Sequence, residues 1–170
     1  DGGVVPTLTT IKQDGSTGYY SVVVTRCDSG IKSLEDAEGK VHAFADPDST
    51  SGYAVPYFNF ITKEGFTPEE FFRQITFSGS HEAGVTGVVN GIFDTASTYQ
   101  NNDADGVYQR MVDKRMIDAD VVCKVWESPE ITSGPWTFRN NLPEDMIEDI
   151  TAAIEAFPTY GYIGMNIRRS

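Results

Sequence analysis

The junction that decides the fold reads Asp46-Pro47-Asp48-Ser49-Thr50-Ser51-Gly52-Tyr53. The apolar run before it, 41–45, predicts a buried strand, and the segment after it, 53–63, predicts a helix. The first N–H groups of a helix lack intrahelical partners and lie at the positive end of the helix dipole, so they can bind an anion. Two interpretations are open: an oxyanion site, or an ordinary N-cap, because helix starts favour these residue types.

A second junction has the same chemistry. Ser78-Gly79-Ser80-His81 lies between a predicted strand, 73–77, and a predicted helix, 83–90. In α/β sheets, ligands bind at the carboxyl ends of strands, where helices begin. His81 would add a ring donor, and its usual pKa of about 6.5 allows it to match the ionisation of an anion. The alternative is a solvated loop imidazole or a second helix cap.

Strands and helices alternate along the rest of the chain. Residues 1–18 are rich in Gly, Thr and Ser, with a turn at Asp14-Gly15, and we expect a tail or connector; 160–170 shows no clear element. Further strands are predicted at 19–25, 92–97, 121–126 and 136–139, and further helices start at Ser33 and Thr67 and span 103–116 and 142–157. This alternation predicts an α/β fold with a mixed, largely parallel sheet flanked by helices.

Composition narrows the class of protein. Of the 170 residues, 39% are hydrophobic and 22% are charged, which is typical of a soluble globular chain. Because 25 acidic residues against 13 basic ones give a net charge of −12, we expect no nucleic-acid partner. No run is long enough to span a membrane, and Asp1-Gly2-Gly3 does not resemble a signal peptide, so we expect a mature or truncated start.

The cysteines, Cys27 and Cys123, are too few and too far apart for a metal site. Each lies near one end of a predicted strand. If those strands are neighbours, the thiols could pair in an oxidising compartment. Otherwise they are two small buried hydrophobic residues.

Five sequence blocks occur in order, at 19–34, 44–56, 79–83, 94–98 and 126–139, with His81 32 residues after Ser49. Together they resemble the phosphonate/phosphite/phosphate-binding proteins of ABC importers, the PhnD-like group of type II periplasmic binding proteins. The resemblance covers roughly residues 15–157. It implies a clamp of two lobes in which Ser49, Thr50, Ser51 and His81 hold the phosphonate oxygens. It also implies a periplasmic location, an ABC permease in the membrane as partner, and no cofactor or metal.

The resemblance also implies the domain organisation. Residues 1–26 would form a connector and the first crossover strand, 27–122 the ligand-binding lobe 2, and 123–170 the second crossover strand and the return segment of an incomplete lobe 1. We therefore expect a partial chain whose exposed apolar surface favours a homo-oligomer. The crossover strands lie side by side in this architecture, so a bridge between Cys27 and Cys123 is conceivable.

The ligand specificity of this chain is expected to differ from that of family members that bind aminoalkyl phosphonates. Members that bind aminoalkyl phosphonates carry an acid at two positions, which fall here on Asn101 and Gly134. Neutral Gln100 and Asn102 flank Asn101. We therefore count Asn101 among the ligand-binding residues and predict only a weak preference for an ammonium group. Phosphate, phosphite or a small alkyl phosphonate is the expected ligand.

Two functions other than that of a solute receptor use parts of the same sequence pattern. The alternative is a ligand-sensing periplasmic domain of a signalling receptor, which would use the same cavity. An enzyme would need His81 as general base, oriented by Asp46 or Asp48. The sequence has no nucleophile elbow, metal-ligand cluster or P-loop, so no catalytic residue is assigned.

Overall fold

The computed structural model describes residues 3–12, 15–156 and 166–169. The chain forms two compact units, 1–18 with 132–170, and 19–131. In chain order the strands and helices are β1 (Val4–Ile11), β2 (Gly18–Arg26), a 3₁₀ helix (Glu35–Ala37), β3 (Val41–Phe44), a π-helical turn (Thr50–Ala54), α1 (Val55–Asn59), a second π-helical turn (Phe60–Glu64), α2 (Pro68–Phe71), β4 (Gln74–Phe77), α3 (His81–Val89), β5 (Thr95–Asn102), β6 (Asp105–Gly106), α4 (Val107–Asp113), β7 (Val122–Glu127), β8 (Ile131–Thr132), β9 (Trp136–Arg139), α5 (Glu144–Glu155) and β10 (Asn166–Arg169). None of the described helices is both long and apolar enough to cross a bilayer.

The larger unit is built on a mixed sheet with the strand order β4-β3-β5-β2-β7. β3 runs parallel to β4 and β5, whereas β2 runs antiparallel to β5 and β7. The parallel strands are joined by helical crossovers, as parallel pairing requires. The α/β fold class predicted from the sequence is therefore confirmed. The lobe boundaries at 27 and 122 stay a prediction.

Helices cover both faces of this sheet. On β2 the successive residues Val22, Val23 and Val24 are all fully buried, because side chains alternate between two covered faces. Val22 and Val24 pack in a cluster with residues of α3 and α4, and Val23 packs in a cluster with the aromatic rings of Phe44 and Phe60. β2 is thus a central strand held from both sides.

His42 is buried within the aromatic cluster. Its Nδ1 lies 2.8 Å from Thr95 Oγ1 and its Nε2 lies 3.0 Å from Ser97 Oγ, and its ring stacks on Phe72 at 4.5 Å. Burial lowers the pKa of His42 to about 3. The folded chain therefore holds a neutral imidazole whose two nitrogens are both hydrogen-bonded.

Of the two alternatives for the cysteines, a disulfide bond or two buried thiols, the disulfide bond is correct. Cys27 and Cys123 form a disulfide bond in which β2 and β7 are joined near their ends, and Thr25 is the register partner of Cys123. The Cys27 N–H also donates to Val121 O at 3.0 Å. Both cysteines are exposed, so they are not buried hydrophobic residues.

The smaller unit departs from the sequence prediction. Its sheet has the order β10-β1-β9 with antiparallel pairing, so 1–18 is not simply a tail and 160–170 contains a strand. Local sequence did not predict β1 or β10, because they are stabilised by partners far along the chain. Asp14 of the predicted turn and Phe157 at the end of the predicted last helix lie outside the described residues.

Two helix predictions in the larger unit are wrong in detail. The helix predicted over 103–116 is only α4, because Asp105–Gly106 pairs with β5 as a strand. Ser33 does not cap the helix that it was predicted to start; the Asp36 carboxylate instead accepts from the N–H groups of Lys32 and Ser33.

We expect both cysteines to be oxidised in the protein purified without reductant. Thiol titration under denaturing conditions should detect no free thiol. The double variant Cys27→Ser/Cys123→Ser should lose about 2–4 kcal/mol of unfolding free energy, because the bond closes a long loop of the unfolded chain. Detection of two free thiols in the unreduced protein would contradict the assignment.

His42 should make the protein less stable in acid. The unfolded imidazole takes up a proton below about pH 6.5, whereas the folded one does so only near pH 3. The unfolded state therefore binds more protons in that window, and this group's contribution to stability is lost as the pH falls, at up to about 1.4 kcal/mol per pH unit. Urea unfolding between about pH 7 and 4.5 should show a shallower pH dependence in His42→Gln than in the wild type. Equal slopes would argue against this role.

Candidate functional site

A cavity of about 390 Å³ opens within the larger unit. Its lining contains all five residues predicted from the sequence and two that were not predicted: Tyr19, Ser49, Thr50, Ser51, His81, Tyr99 and Asn101. The structure thus brings the predicted residues together around one space. Their role in binding stays a prediction.

The two helix junctions meet because they follow neighbouring parallel strands. β3 and β4 end in register at Phe44 and Phe77, so both following loops leave the same edge of the sheet. The Ser78 N–H donates to Phe44 O at 2.9 Å, and the Gly79 N–H donates to Ala45 O at 2.8 Å. Backbone hydrogen bonds therefore hold the second junction against the first.

The first wall of the cavity is a helix start. Ser49 is the N-cap, and its Oγ accepts from the Gly52 N–H at 3.0 Å. The N–H groups of Tyr53 and Ala54 donate to Ser49 O. Those of Thr50 and Ser51 have no protein acceptor in the part of the chain that the structure describes. The N-cap and oxyanion interpretations therefore do not exclude each other, because the cap is satisfied locally and two donors remain.

Close contacts hold this helix start in place. The Ser21 hydroxyl on β2 donates to the buried carbonyl of Ser51 at 2.6 Å. A Cβ added to Gly52 would lie 2.4 Å from Ala45 Cβ, 2.8 Å from Ser49 Oγ and 2.9 Å from His81 Cε1. Only glycine allows this approach of the helix start to Ala45 and to His81.

His81 provides the second wall as the first residue of α3. Ser80 caps that helix by accepting from the Ala83 N–H at 3.1 Å, so the second-cap alternative for His81 is wrong. His81 Nε2 lies 3.4 Å from Ser49 Oγ, and its Nδ1 lies 3.3 Å from Thr98 Oγ1. The ring is therefore held at both nitrogens and is not a freely solvated loop side chain.

The charge state of His81 follows from its surroundings. Burial lowers its pKa, and the nearby carboxylate of Glu82 opposes this effect more weakly. The imidazole is therefore neutral at neutral pH. Among the described residues, no lysine or arginine lines the cavity, so its polar lining groups are hydroxyls, backbone N–H groups, the Asn101 amide and one neutral ring.

The third wall comes from the strands β2 and β5. Tyr19 and Tyr99 have their ring centroids 6.2 Å apart, and Tyr99 packs edge-to-face on His81 at 4.9 Å. The two tyrosines were not predicted as site residues, because aromatic residues are common in any strand. Tyr19 begins the predicted strand 19–25 and Tyr99 follows the predicted strand 92–97, and the pairing of β2 with β5 that brings the two rings together is not visible in the sequence.

Asp46 and Asp48, the aspartates that an enzymatic role would require beside His81, make no hydrogen bond to its ring in the described residues. Asp46 Oδ1 accepts from the Asp48 N–H at 2.9 Å, and neither aspartate lines the cavity. In the described residues, the hydrogen-bonding partners of the His81 ring are Ser49 and Thr98. The arrangement in which Asp46 or Asp48 orients His81 is therefore wrong. No group of three or more described His, Cys, Asp or Glu residues could hold a metal ion.

A family of known proteins and a curated relative match this chain. The model of the family described as "ABC transporter, phosphonate, periplasmic substrate-binding protein" matches residues 1–159. The curated phosphonates-binding periplasmic protein of Escherichia coli (strain K12) is 32% identical over 160 residues, which cover 89% of this chain and 43% of that protein. The chain therefore spans less than half the length of this curated relative.

Solved structures share the fold. A binding protein component of an ABC phosphonate transporter from Pseudomonas aeruginosa is 24% identical with a TM-score of 0.77, covering 98% of this chain and 57% of the other. PhnD1 from Prochlorococcus marinus, solved in complex with methylphosphonate, is 21% identical with a TM-score of 0.66, covering 89% and 58%.

Gly52→Ala should disturb the site and the fold together. The new Cβ would lie within 3 Å of Ala45, Ser49 and His81, so the helix start must move. We expect a loss of about 1–3 kcal/mol of unfolding free energy and a shift of the His81 ring resonances in NMR spectra. Gly134→Ala is the matched control, because an added Cβ there meets nothing within 4 Å. Wild-type stability in Gly52→Ala would contradict the packing argument.

Proposed function

The chain belongs to the phosphonate-binding family of periplasmic substrate-binding proteins of ABC transporters, and we propose that its cavity captures a small phosphorus oxyanion. The family resemblance drawn from the sequence blocks is thereby confirmed. We propose further that the protein delivers its ligand to an ABC permease in the membrane. The relatives are transport proteins, and we propose no catalytic role for His81.

One observation supports this function above the others. Thr50 and Ser51, whose N–H groups have no acceptor among the described residues, line one cavity together with Ser49 and His81. Helix N-terminal N–H groups bind phosphate-like anions without a cation. The net charge of −12 does not oppose this, because charges more than about 8 Å away are screened in physiological salt.

The lining also supports a ligand without an ammonium group. At the position where relatives that bind aminoalkyl phosphonates were expected to carry an acid, this chain has Asn101, and no described carboxylate lines the cavity. A ligand ammonium group would therefore gain no direct ion pair. We propose phosphate, phosphite or a small alkyl phosphonate as the ligand.

Location and assembly are proposed on the same basis. The disulfide bond between Cys27 and Cys123 supports a periplasmic location, because such bonds persist in oxidising compartments. Six of the seven lining residues, all but Tyr19, fall within 27–122, which supports assigning the ligand-binding lobe to that range. Val4, Val5 and Trp136 are about half exposed in the smaller unit, which supports the proposed homo-oligomer.

Calorimetric titration with phosphate, phosphite, methylphosphonate and 2-aminoethylphosphonate tests the proposal. We expect measurable binding, with 2-aminoethylphosphonate less than about tenfold tighter than methylphosphonate. Thr50→Ala should raise the Kd by about 5- to 100-fold, because it removes a hydroxyl donor to an anion. Thr62→Ala is the control, since Thr62 lies at the far end of the same helical segment and its hydroxyl donates to Phe58 O.

Two results would contradict these expectations separately. Unchanged affinity in Thr50→Ala would remove that hydroxyl from the site. A preference of tenfold or more for 2-aminoethylphosphonate would overturn the ligand assignment and leave the capture of an oxyanion standing.

A further inference from the structure

Asn101 occupies an irregular position in its strand. The pairs Gln100↔Gly106 and Asn102↔Asp105 are out of regular register, so Asn101 lies in a bulge of the β5–β6 hairpin. Bulges re-aim side chains and are frequent next to binding sites. A Cβ on Gly106 would lie 2.7 Å from Gln100 Cβ, so the hairpin can close this tightly only with glycine there.

An ion pair outside the cavity holds the Asn101 amide. Asn101 Nδ2 donates to Asp105 Oδ2 at 2.6 Å, and Arg110 Nε donates to Asp105 Oδ1 at 2.8 Å. A carboxylate paired with a guanidinium is ionised and can only accept hydrogen bonds. The NH₂ group of Asn101 must therefore face Asp105, and its carbonyl Oδ1 is turned away from that carboxylate.

The same guanidinium also holds a second residue of the lining. Arg110 donates to the Tyr99 hydroxyl at 3.0 Å, and its Cζ lies 5.8 Å from the centroid of the Tyr99 ring. Asn101 and Tyr99 line the cavity, whereas Asp105 and Arg110 do not. One ion pair therefore positions two lining side chains from outside.

Resting on the proposed function, we propose that the Asp105–Arg110 ion pair sets ligand specificity by presenting Asn101 to the cavity as a hydrogen-bond acceptor. An acceptor repels an ionised phosphorus–oxygen group and is satisfied only by a donor. The remaining polar groups of the lining supply the donors for the oxyanion. The site therefore favours phosphorus oxyanions that carry a hydroxyl donor beside the phosphorus over those that carry only a methyl group.

The test compares hydroxymethylphosphonate with methylphosphonate, titrated by calorimetry at a pH where both are fully ionised. Wild-type protein should bind hydroxymethylphosphonate about three- to tenfold tighter, as one extra hydrogen bond allows. In Asp105→Asn the Asn101 amide is free to turn over, and the ratio of the two affinities should fall to about one. The readout is this ratio, because general loosening of the site would weaken both ligands alike.

Two further variants complete the design. Asp103→Asn removes the same charge from a residue that pairs with Lys124, whereas the Asn101 amide donates to Asp105, so it should keep the wild-type ratio. Asn101→Leu removes the acceptor itself and should also bring the ratio to about one, which gives an independent reading if Asp105→Asn folds poorly.

Each outcome decides a specific claim. A wild-type ratio of about one, or a ratio that persists in Asp105→Asn and Asn101→Leu, overturns the role of the ion pair while oxyanion capture stands. Failure of the wild type to bind either phosphonate or phosphate overturns the proposed function itself, and this inference with it.

Discussion

The helix start that forms the first wall of the candidate site is capped by the hydrogen bond from the Gly52 N–H to Ser49 Oγ. This hydrogen bond begins the helical segment 50–64 at the carboxyl end of β3 and satisfies one of the unpaired N–H groups of the first turn. The absence of a side chain at Gly52 then lets the helix start approach Ala45 and His81. Because Ser21 on β2 binds the carbonyl of Ser51, the donors of this turn have a fixed direction relative to the sheet.

A cavity of neutral donors follows from the same geometry. His81 contacts Ser49 through Nε2 and Thr98 through Nδ1, and its burial disfavours the charged form. A buried cation would cost desolvation energy that an anionic ligand must repay. Hydroxyls and helix N–H groups avoid that cost because their dipoles are already oriented. The described lining contains groups of this kind and no opposing charge.

Local patterns predicted one part of this structure and non-local pairing decided the rest. The junctions at Ser49 and His81 were predictable because strand end, cap and helix start are adjacent in sequence, and the parallel strands β3 and β4 bring them together. Tyr19 and Tyr99 were not predictable as neighbours, because their proximity depends on the antiparallel pairing of β2 with β5. The disulfide stayed open from sequence for a related reason: it requires β7 to lie beside β2.

The division of the chain bears on what a binding measurement will report. All seven lining residues lie in the compact unit 19–131, although the chain spans only 43% of its curated relative. The donors that we propose for an oxyanion and the Asp105–Arg110 pair that holds Asn101 therefore belong to one unit. Differences in affinity between ligands, measured on this chain, therefore test the roles proposed for these residues.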